Sequence, residues 1–117
     1  MQYMMLIYLD ENSITEEQRA QCYTESAGCA RQLHAEGKCL AVAPLQPTLT
    51  ATSIRQREGK PIFTDGPFAE TREQLGGFFL INAANLDEAL DIAAKIPAGR
   101  WGTVEVRPVM EISGLPS

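Results

Sequence analysis

The sequence predicts an α+β fold in which two helices cover one face of an antiparallel sheet. The first observation is the length of 117 residues, which suits one domain covering residues 1–117. The second is the pattern of apolar residues, which alternates as in strands over six segments and has helical spacing over two. The third is the separation of the two helical segments by several strands, because helices placed in this way can cover only one face of a sheet.

The first strand is predicted over residues 2–9 and the first helix directly after it. The strand is apolar on both faces, with Tyr3, Met5, Ile7 and Leu9 on one and Met4, Leu6 and Tyr8 on the other. Ser13 or Thr15 caps the helix, and Thr15 and Gln18 have capping-box spacing. The helix is expected to run to about residue 36, before Gly37. Its core-facing stripe is predicted to be Ala20, Tyr23, Ala27, Ala30 and Leu33.

The rest of the chain predicts four short strands, a second helix and a last strand. Strands are expected at 39–43, 49–57, 60–64 and 78–82, and Glu58-Gly59 joins the second and third of these as a hairpin. Asn85 caps the second helix, with Glu88 three residues later, and Pro97 ends it. The last strand is expected over residues 103–112.

The strands predict a homodimer. An antiparallel sheet covered on one face normally shows a polar second face. Here Met4, Leu6, Tyr8 and two of residues 78–81 would leave apolar side chains on that second face. A second copy of the chain, packed sheet against sheet, would cover them.

Charge and hydropathy exclude several partners. The net charge is −5, with 10 basic and 15 acidic residues, and the basic residues are scattered, so no nucleic acid partner is expected. The apolar segment 1–9 is too short to cross a bilayer and has no basic flank, so no membrane partner is expected and a cytoplasmic location is predicted.

No metal site and no cofactor are expected. Cys22, Cys29 and Cys39 form no C-x-x-C pair, and His34 is the one histidine and has no ligand partners at metal spacing. The chain also has no phosphate-binding loop and no nucleophile-elbow motif. Trp101 either packs against an interface or stacks on a ligand.

The stretch 65–77 is the densest in functional side chains. Asp65 follows a strand, Gly66 and Pro67 make a tight turn, and Phe68 is expected to pin that turn to the core. One helical turn is predicted at 70–74, and Gly76-Gly77 would end it and permit close backbone approach. Two interpretations of Asp65 stay open: it caps a rigid turn, or, with Glu70, it faces a cleft as a general base or ligand acceptor.

These residues resemble a known family. The central run is Asp65-Gly66-Pro67-Phe68, within the matching residues 65–71 and 74–78. Further matches are spread over nearly the whole chain, at residues 3–8, 51–52, 87–90, 98–100 and 104–108. The chain is similar to the DGPF branch of YCII-related proteins. The resemblance implies a ferredoxin-like fold assembled as a dimer, related to the dimeric α/β barrels. It also implies a mostly unassigned function and a link to sigma factors, whose genes often adjoin those of the family.

A few relatives in the wider group are enzymes that act on small ring compounds with a His–Asp dyad at the first helix. In this chain the dyad aspartate falls on Ala35 and the histidine near Ser26, so the resemblance does not carry that chemistry over. Two functions remain. The first is a small-molecule-binding dimeric module of unassigned role, with a regulatory link to a sigma factor. The alternative is a small isomerase- or lyase-like enzyme acting on an apolar or phenolic ring in a cleft between helix and sheet. Asp65 would be the base, and Glu70, Tyr8 and Arg107 would be its polar contacts.

The residues expected to contact a ligand cluster around the charged turn. Asp65 is the candidate catalytic group. The ligand-binding candidates are Tyr8, Asp65, Gly66, Pro67, Phe68, Glu70 and Arg107.

Overall fold

The computed structural model describes residues 1–116, and within them the chain forms six strands and two α-helices. In chain order these are β1 Gln2–Leu9, α1 Glu16–Ala35, β2 Cys39–Pro44, β3 Thr52–Arg57, β4 Lys60–Asp65, β5 Gln74–Asn82, α2 Leu86–Ala94 and β6 Gly102–Pro108. Two 3₁₀ turns, Thr48–Thr50 and Pro97–Arg100, precede β3 and β6.

Four strands form one antiparallel sheet in the order β2-β5-β1-β6. β5 lies between β1 and β2 and is antiparallel to both, so β1, α1 and β2 form a split βαβ unit. Both helices pack on one face of this sheet. The prediction of an α+β fold is confirmed, and the topology is consistent with a ferredoxin-like fold.

The helix termini form as the sequence predicts. The Gln18 amide donates to Thr15 Oγ1 at 3.1 Å, and the Thr15 amide donates to Gln18 Oε1 at 3.0 Å, which completes the capping box. The Glu88 amide donates to Asn85 Oδ1 at 2.9 Å at the start of α2. Gly37 follows α1 with φ of 74°, a left-handed conformation that ends the helix.

The core lies between the helices and the inner face of the sheet. Its most deeply buried large side chains are Met5, Phe79 and Ile81. α1 contributes Cys22, Ala30 and Leu33, so the predicted stripe is right at its C-terminal end and wrong at its start. Ala20, Tyr23 and Ala27 are exposed instead, because α1 stands away from the sheet over a cleft at Tyr23 and Ala27.

The outer face of the sheet is apolar along its centre. Met4, Leu6 and Tyr8 of β1 are half-buried, as are their β5 neighbours Phe78 and Leu80. No helix within residues 1–116 packs on this face. The sequence therefore predicts correctly which side chains the two helices leave uncovered.

The strands β3 and β4 form a separate hairpin. Glu58 and Gly59 join them with φ of 52° and 77°, as a two-residue hairpin turn requires. Ile54 and Phe63 pair across the hairpin and are 61% and 64% exposed. The radius of gyration is 15.9 Å, against about 13 Å for a compact chain of this length. The hairpin thus carries large apolar side chains that the rest of the chain does not bury.

The stretch 65–77 differs from its prediction in two ways. β5 already begins at Gln74, and residues 70–74 form no helical turn. The reason is pairing with β2: Gly77 lies opposite Pro44, and the Leu45 amide donates to the Gly76 carbonyl at 2.8 Å. The predicted close backbone approach is confirmed, since a Cβ on Gly77 would stand 2.9 Å from the Ala43 carbonyl oxygen.

Phe68 does not pin the turn to the core. Its side chain is 77% exposed, and the Arg55 guanidinium carbon lies over the Phe68 ring, 5.5 Å from the ring centroid.

The last strand is also shorter than predicted and ends at Pro108. Over residues 1–116, neither helix has the length and apolar character needed to cross a membrane.

Candidate functional site

Two concavities lie at the same end of the sheet, one on each face. The first, here called the inner cleft, lies between α1 and the sheet and has a volume of ≈ 210 Å³. It is lined by Ile7, Leu9, Cys22, Tyr23, Ser26, Ala27, Ala30, Val42, Ala43, Pro44, Gly76, Gly77, Phe78, Phe79 and Ala98. Small residues on α1 and the two glycines of β5 leave this space open.

The lining of the inner cleft is almost wholly apolar. Its polar side chains are those of Cys22, Tyr23 and Ser26, and it includes no Asp, Glu, Lys, Arg or His. Cys22 Sγ and Ser26 Oγ are 3.9 Å apart, one helical turn from each other. Burial raises the pKa of the Cys22 thiol, so the thiol is protonated near neutral pH. The cleft is therefore uncharged.

An ion pair fixes one wall of the inner cleft. Arg100 donates to the two carboxylate oxygens of Glu25 at 2.8 and 3.2 Å and lies 4.8 Å from the centroid of the Trp101 ring. The Arg100 guanidinium lowers the pKa of the Glu25 carboxyl. This contact joins α1 to the 3₁₀ turn that carries Ala98. Trp101 packs against the core of its own protomer, which differs from both sequence interpretations, an interface and a bound ligand.

The second concavity, here called the outer hollow, has a volume of ≈ 700 Å³. Its walls come from β1, from the segment between β2 and β3, and from the start of β5 with the loop before it. The lining residues are Tyr8, Leu45, Gln46, Pro47, Thr48, Thr50, Ala51, Pro67, Phe68, Ala69, Thr71, Gln74 and Leu75. Since Tyr8 points to the outer face of the sheet, the hollow adjoins the apolar surface of Met4 and Leu6.

A narrow groove connects the walls of the two concavities. It shares Leu9, Tyr23 and Gly76 with the inner cleft and Leu45, Gln46, Pro47 and Gln74 with the outer hollow. Glu11 holds this region in place: its carboxylate accepts from the Thr48 amide at 3.0 Å, and its own amide donates to Gln74 Oε1 at 3.0 Å. The segment between β2 and β3 is thereby tied to β1 and β5.

The structure brings together only some of the predicted site residues. Tyr8, Pro67 and Phe68 line the outer hollow, whereas Asp65 and Glu70 are exposed and line neither concavity. The Asp65 carboxylate has no hydrogen bond or ion pair within residues 1–116. Gly66, with φ of 97°, ties the turn to β3, because its amide donates to the Ala51 carbonyl at 2.8 Å and its carbonyl accepts from Ser53 Oγ at 2.8 Å.

Arg107 lies apart from the other candidates. It pairs in register with Met4, at the other end of β1 from Tyr8, and its guanidinium donates to the Glu105 carboxylate at 2.8 Å. That hydrogen bond raises the pKa of Arg107.

The sequence analysis did not identify Cys22 and Ser26 as residues that line the inner cleft. The signal that could have identified them is the run of small side chains on α1 opposite two consecutive glycines of β5.

Comparison with solved structures supports the fold. The chain is similar to 5-chloro-2-hydroxyhydroquinone dehydrochlorinase (TftG) from Burkholderia phenoliruptrix AC1100, solved in complex with 2,5-dihydroxybenzoquinone. The TM-score is 0.58 at 16% identity, and the match covers 94% of each chain. At this identity the likeness concerns the fold.

Comparison of sequences gives the family. The uncharacterized protein R00369 of Rhizobium meliloti (strain 1021) is 40% identical over 114 residues, which cover 93% of this chain and 92% of that protein. Among protein families, the YCII-related domain matches residues 1–113. The chain therefore belongs to the YCII-related domain family.

Proposed function

We propose that this single-domain protein is a small-molecule-binding module that works as a homodimer. Its ligand is a compact, uncharged, apolar or phenolic ring compound held in the inner cleft. The observation that carries the proposal is the uncharged, almost wholly apolar lining of a cleft between α1 and the sheet. Ligand sites of small molecules have this character, with a few polar groups that fix orientation.

The size of the inner cleft supports a single-ring ligand. An apolar cavity of about 150 Å³ suffices for benzene, and the inner cleft measures ≈ 210 Å³. The dehydrochlorinase that shares this fold was solved with a ring compound of the same size class. A fused or extended ligand would have to leave part of its surface in solvent.

Binding is tested by calorimetric or NMR titration of the protein with phenol and p-cresol. Ala30→Leu places a larger side chain in the inner cleft and should abolish binding, whereas Ala20→Leu, the same change at an exposed position of α1, should leave it intact. Equal binding by the two variants, or no binding by the wild type, would overturn the proposal.

The homodimer is supported by the apolar outer face of the sheet and by the hairpin. Met4, Leu6 and Tyr8 line that face, and Ile54 and Phe63 project from the hairpin. Apolar surface that the protomer leaves uncovered, on the sheet and on the hairpin, is typical of interfaces. Sedimentation at micromolar concentration should give twice the protomer mass of 12.8 kDa. Leu6→Lys should yield monomers and Ala20→Lys should not; a monomeric wild type would contradict this part of the proposal.

The charged turn supports assignment to the DGPF branch of the family, and we propose the outer hollow as a second binding position. Tyr8, Pro67 and Phe68 would contact the ligand there. Gly66 would shape the turn that carries Pro67 and Phe68, and Asp65, Glu70 and Arg107 would reach a ligand only outside the hollow. A regulatory link to a sigma factor is also proposed, on family resemblance. Co-purification of the tagged protein with a sigma factor from its own cells tests this link, and recovery of none would count against it.

The second candidate function is an isomerase- or lyase-like enzyme with Asp65 as base. It is favoured by the activity in the name of the dehydrochlorinase and by the polar groups around the outer hollow, among them Tyr8, Thr48 and Gln74. Turnover of chlorinated or hydroxylated quinols that is lost in Asp65→Asn and kept in Glu70→Gln would support it. Unchanged turnover, or an unchanged ligand response, in Asp65→Asn would remove that residue from the site.

A further inference from the structure

We infer that Ser26 is the specificity-determining residue of the inner cleft, where its hydroxyl exchanges a hydrogen bond with a neutral hydroxyl group of the ligand. The ligand class is then a phenol, and neither a plain hydrocarbon nor an aromatic acid is preferred. This inference rests on the proposed function and adds to it the chemistry by which the cleft recognises one ring rather than another.

The first step is the state of the Ser26 hydroxyl. The only hydrogen-bond partner that it has within residues 1–116 is Cys22 Sγ, at 3.9 Å. Sulfur is a weak donor and acceptor, and this distance is at the long end of the range for sulfur. Ser26 therefore has a donor and an acceptor to offer to a molecule in the cleft.

Few other side chains on the walls of the inner cleft can form a hydrogen bond with a ligand. Of the two other polar side chains in the lining, the Cys22 thiol is a weak partner and Tyr23 is 46% exposed, so its phenol has access to water. Ser26 is half-buried and comes from the middle of α1. A ligand hydroxyl that enters the cleft would lose its water and would find a strong partner at Ser26, which is more buried than Tyr23.

The third step is the charge of the site. No cationic side chain lines the cleft, and the nearby Arg100 guanidinium already donates to both oxygens of Glu25. An aromatic carboxylate would have to leave water without gaining a counter-charge. A neutral phenol meets no such cost, because Ser26 can both donate to it and accept from it.

The experiment compares three probes of similar size by NMR titration: phenol, toluene and benzoate. In the wild type we expect phenol and toluene to bind and benzoate not to bind. Ser26→Ala should weaken phenol by roughly tenfold, the worth of one hydrogen bond, and leave toluene unchanged. Ser26→Thr, which keeps the hydroxyl, should restore most of the phenol affinity, and Thr24→Ala, an exposed position on the same helix, should change neither affinity.

The outcomes separate this inference from the proposed function. A loss confined to phenol in Ser26→Ala supports the inference. Equal losses for phenol and toluene, no loss for either, or tight binding of benzoate would overturn it while leaving ring binding in place. If the wild type binds none of the probes, the proposed function fails as well.

Discussion

The open space beside Ala30 predicts how a larger side chain at this position changes the free energy of unfolding of the unliganded protein. Ala30 is 9% exposed, and its side chain lines the cleft from α1. In a close-packed core, Ala30→Leu would force the neighbouring side chains apart and would lower the free energy of unfolding by about 1–3 kcal/mol. Beside an open cleft, the same change places the added carbons in existing space, so the sign of the effect should reverse.

The expected gain follows from the added apolar atoms. Leucine adds three carbons to alanine, and each buried methylene contributes about 0.8 kcal/mol, or roughly 2.4 kcal/mol in all. Ordering the longer side chain costs about 0.5–1 kcal/mol, and the helix propensities of the two residues differ little. Ala30→Leu should therefore raise the free energy of unfolding by about 1–2 kcal/mol.

Urea unfolding followed by circular dichroism measures this gain as a higher midpoint at an unchanged m-value. The matched control is Ala20→Leu, which makes the same change on the exposed side of α1 and should stay within about 0.5 kcal/mol of the wild type. A loss of 1 kcal/mol or more in Ala30→Leu, with the control neutral, would refute the reasoning, because it would mean that α1 and the sheet leave no space at this position.

Three further perturbations test the parts of the structure around the cleft. Thr15→Ala removes the side-chain half of the capping box and should lower the free energy of unfolding by about 0.5–2 kcal/mol in urea titrations; an unchanged midpoint would show that the cap does not stabilise α1. Gly77→Ala should cost about 1–3 kcal/mol, since its Cβ would stand 2.9 Å from a β2 carbonyl oxygen, whereas Gly76→Ala, whose Cβ would meet a flexible side chain at 3.7 Å, should be tolerated; equal midpoints for the two variants would contradict the close approach. Arg100 lowers the pKa of Glu25 in the folded state, so this pair stabilises the protein above the unfolded pKa of about 4.3 and ceases to do so as the pH falls through the lower folded value; the stability difference between wild type and Arg100→Gln should thus shrink from pH 7 to pH 3, and a constant difference would exclude this ion pair as its cause.

Those elements that depend on local chemistry could be predicted from the sequence. Thr15 with Gln18 and Asn85 with Glu88 form their caps within single turns, and Glu58-Gly59 needs only two left-handed residues to close the hairpin. The two-residue period of β1 likewise separates Tyr3, Met5 and Ile7 from Met4, Leu6 and Tyr8, and the structure places these two sets on opposite faces of the sheet. In each case the atoms that decide the structure lie within a few residues of one another.

A cleft between helix and sheet could be expected, but the conformation of the charged turn and the residues that line the inner cleft could not be predicted, because distant residues decide them. The local sequence predicts that Gly76 and Gly77 end a helical turn, yet pairing with β2, more than thirty residues earlier, makes them part of β5. The predicted stripe of α1 placed Tyr23 and Ala27 against the sheet, where the structure has open space. The tilt of a helix over a sheet depends on the side chains of both layers, so the sequence pattern of the helix alone does not determine that tilt.

The proposed binding role of the inner cleft agrees with the positions of the charged side chains, none of which lines it. A general base must lie within hydrogen-bond reach of the proton that it removes. Asp65 is exposed at the end of β4 and lines neither concavity, and the inner cleft has no carboxylate, ammonium or imidazole. The Cys22 thiol does not fill this role, because burial keeps it protonated and a nucleophilic cysteine needs the thiolate form. A ring compound in the inner cleft would thus meet surfaces that hold it and one hydroxyl that orients it, with no side chain suited to remove its protons.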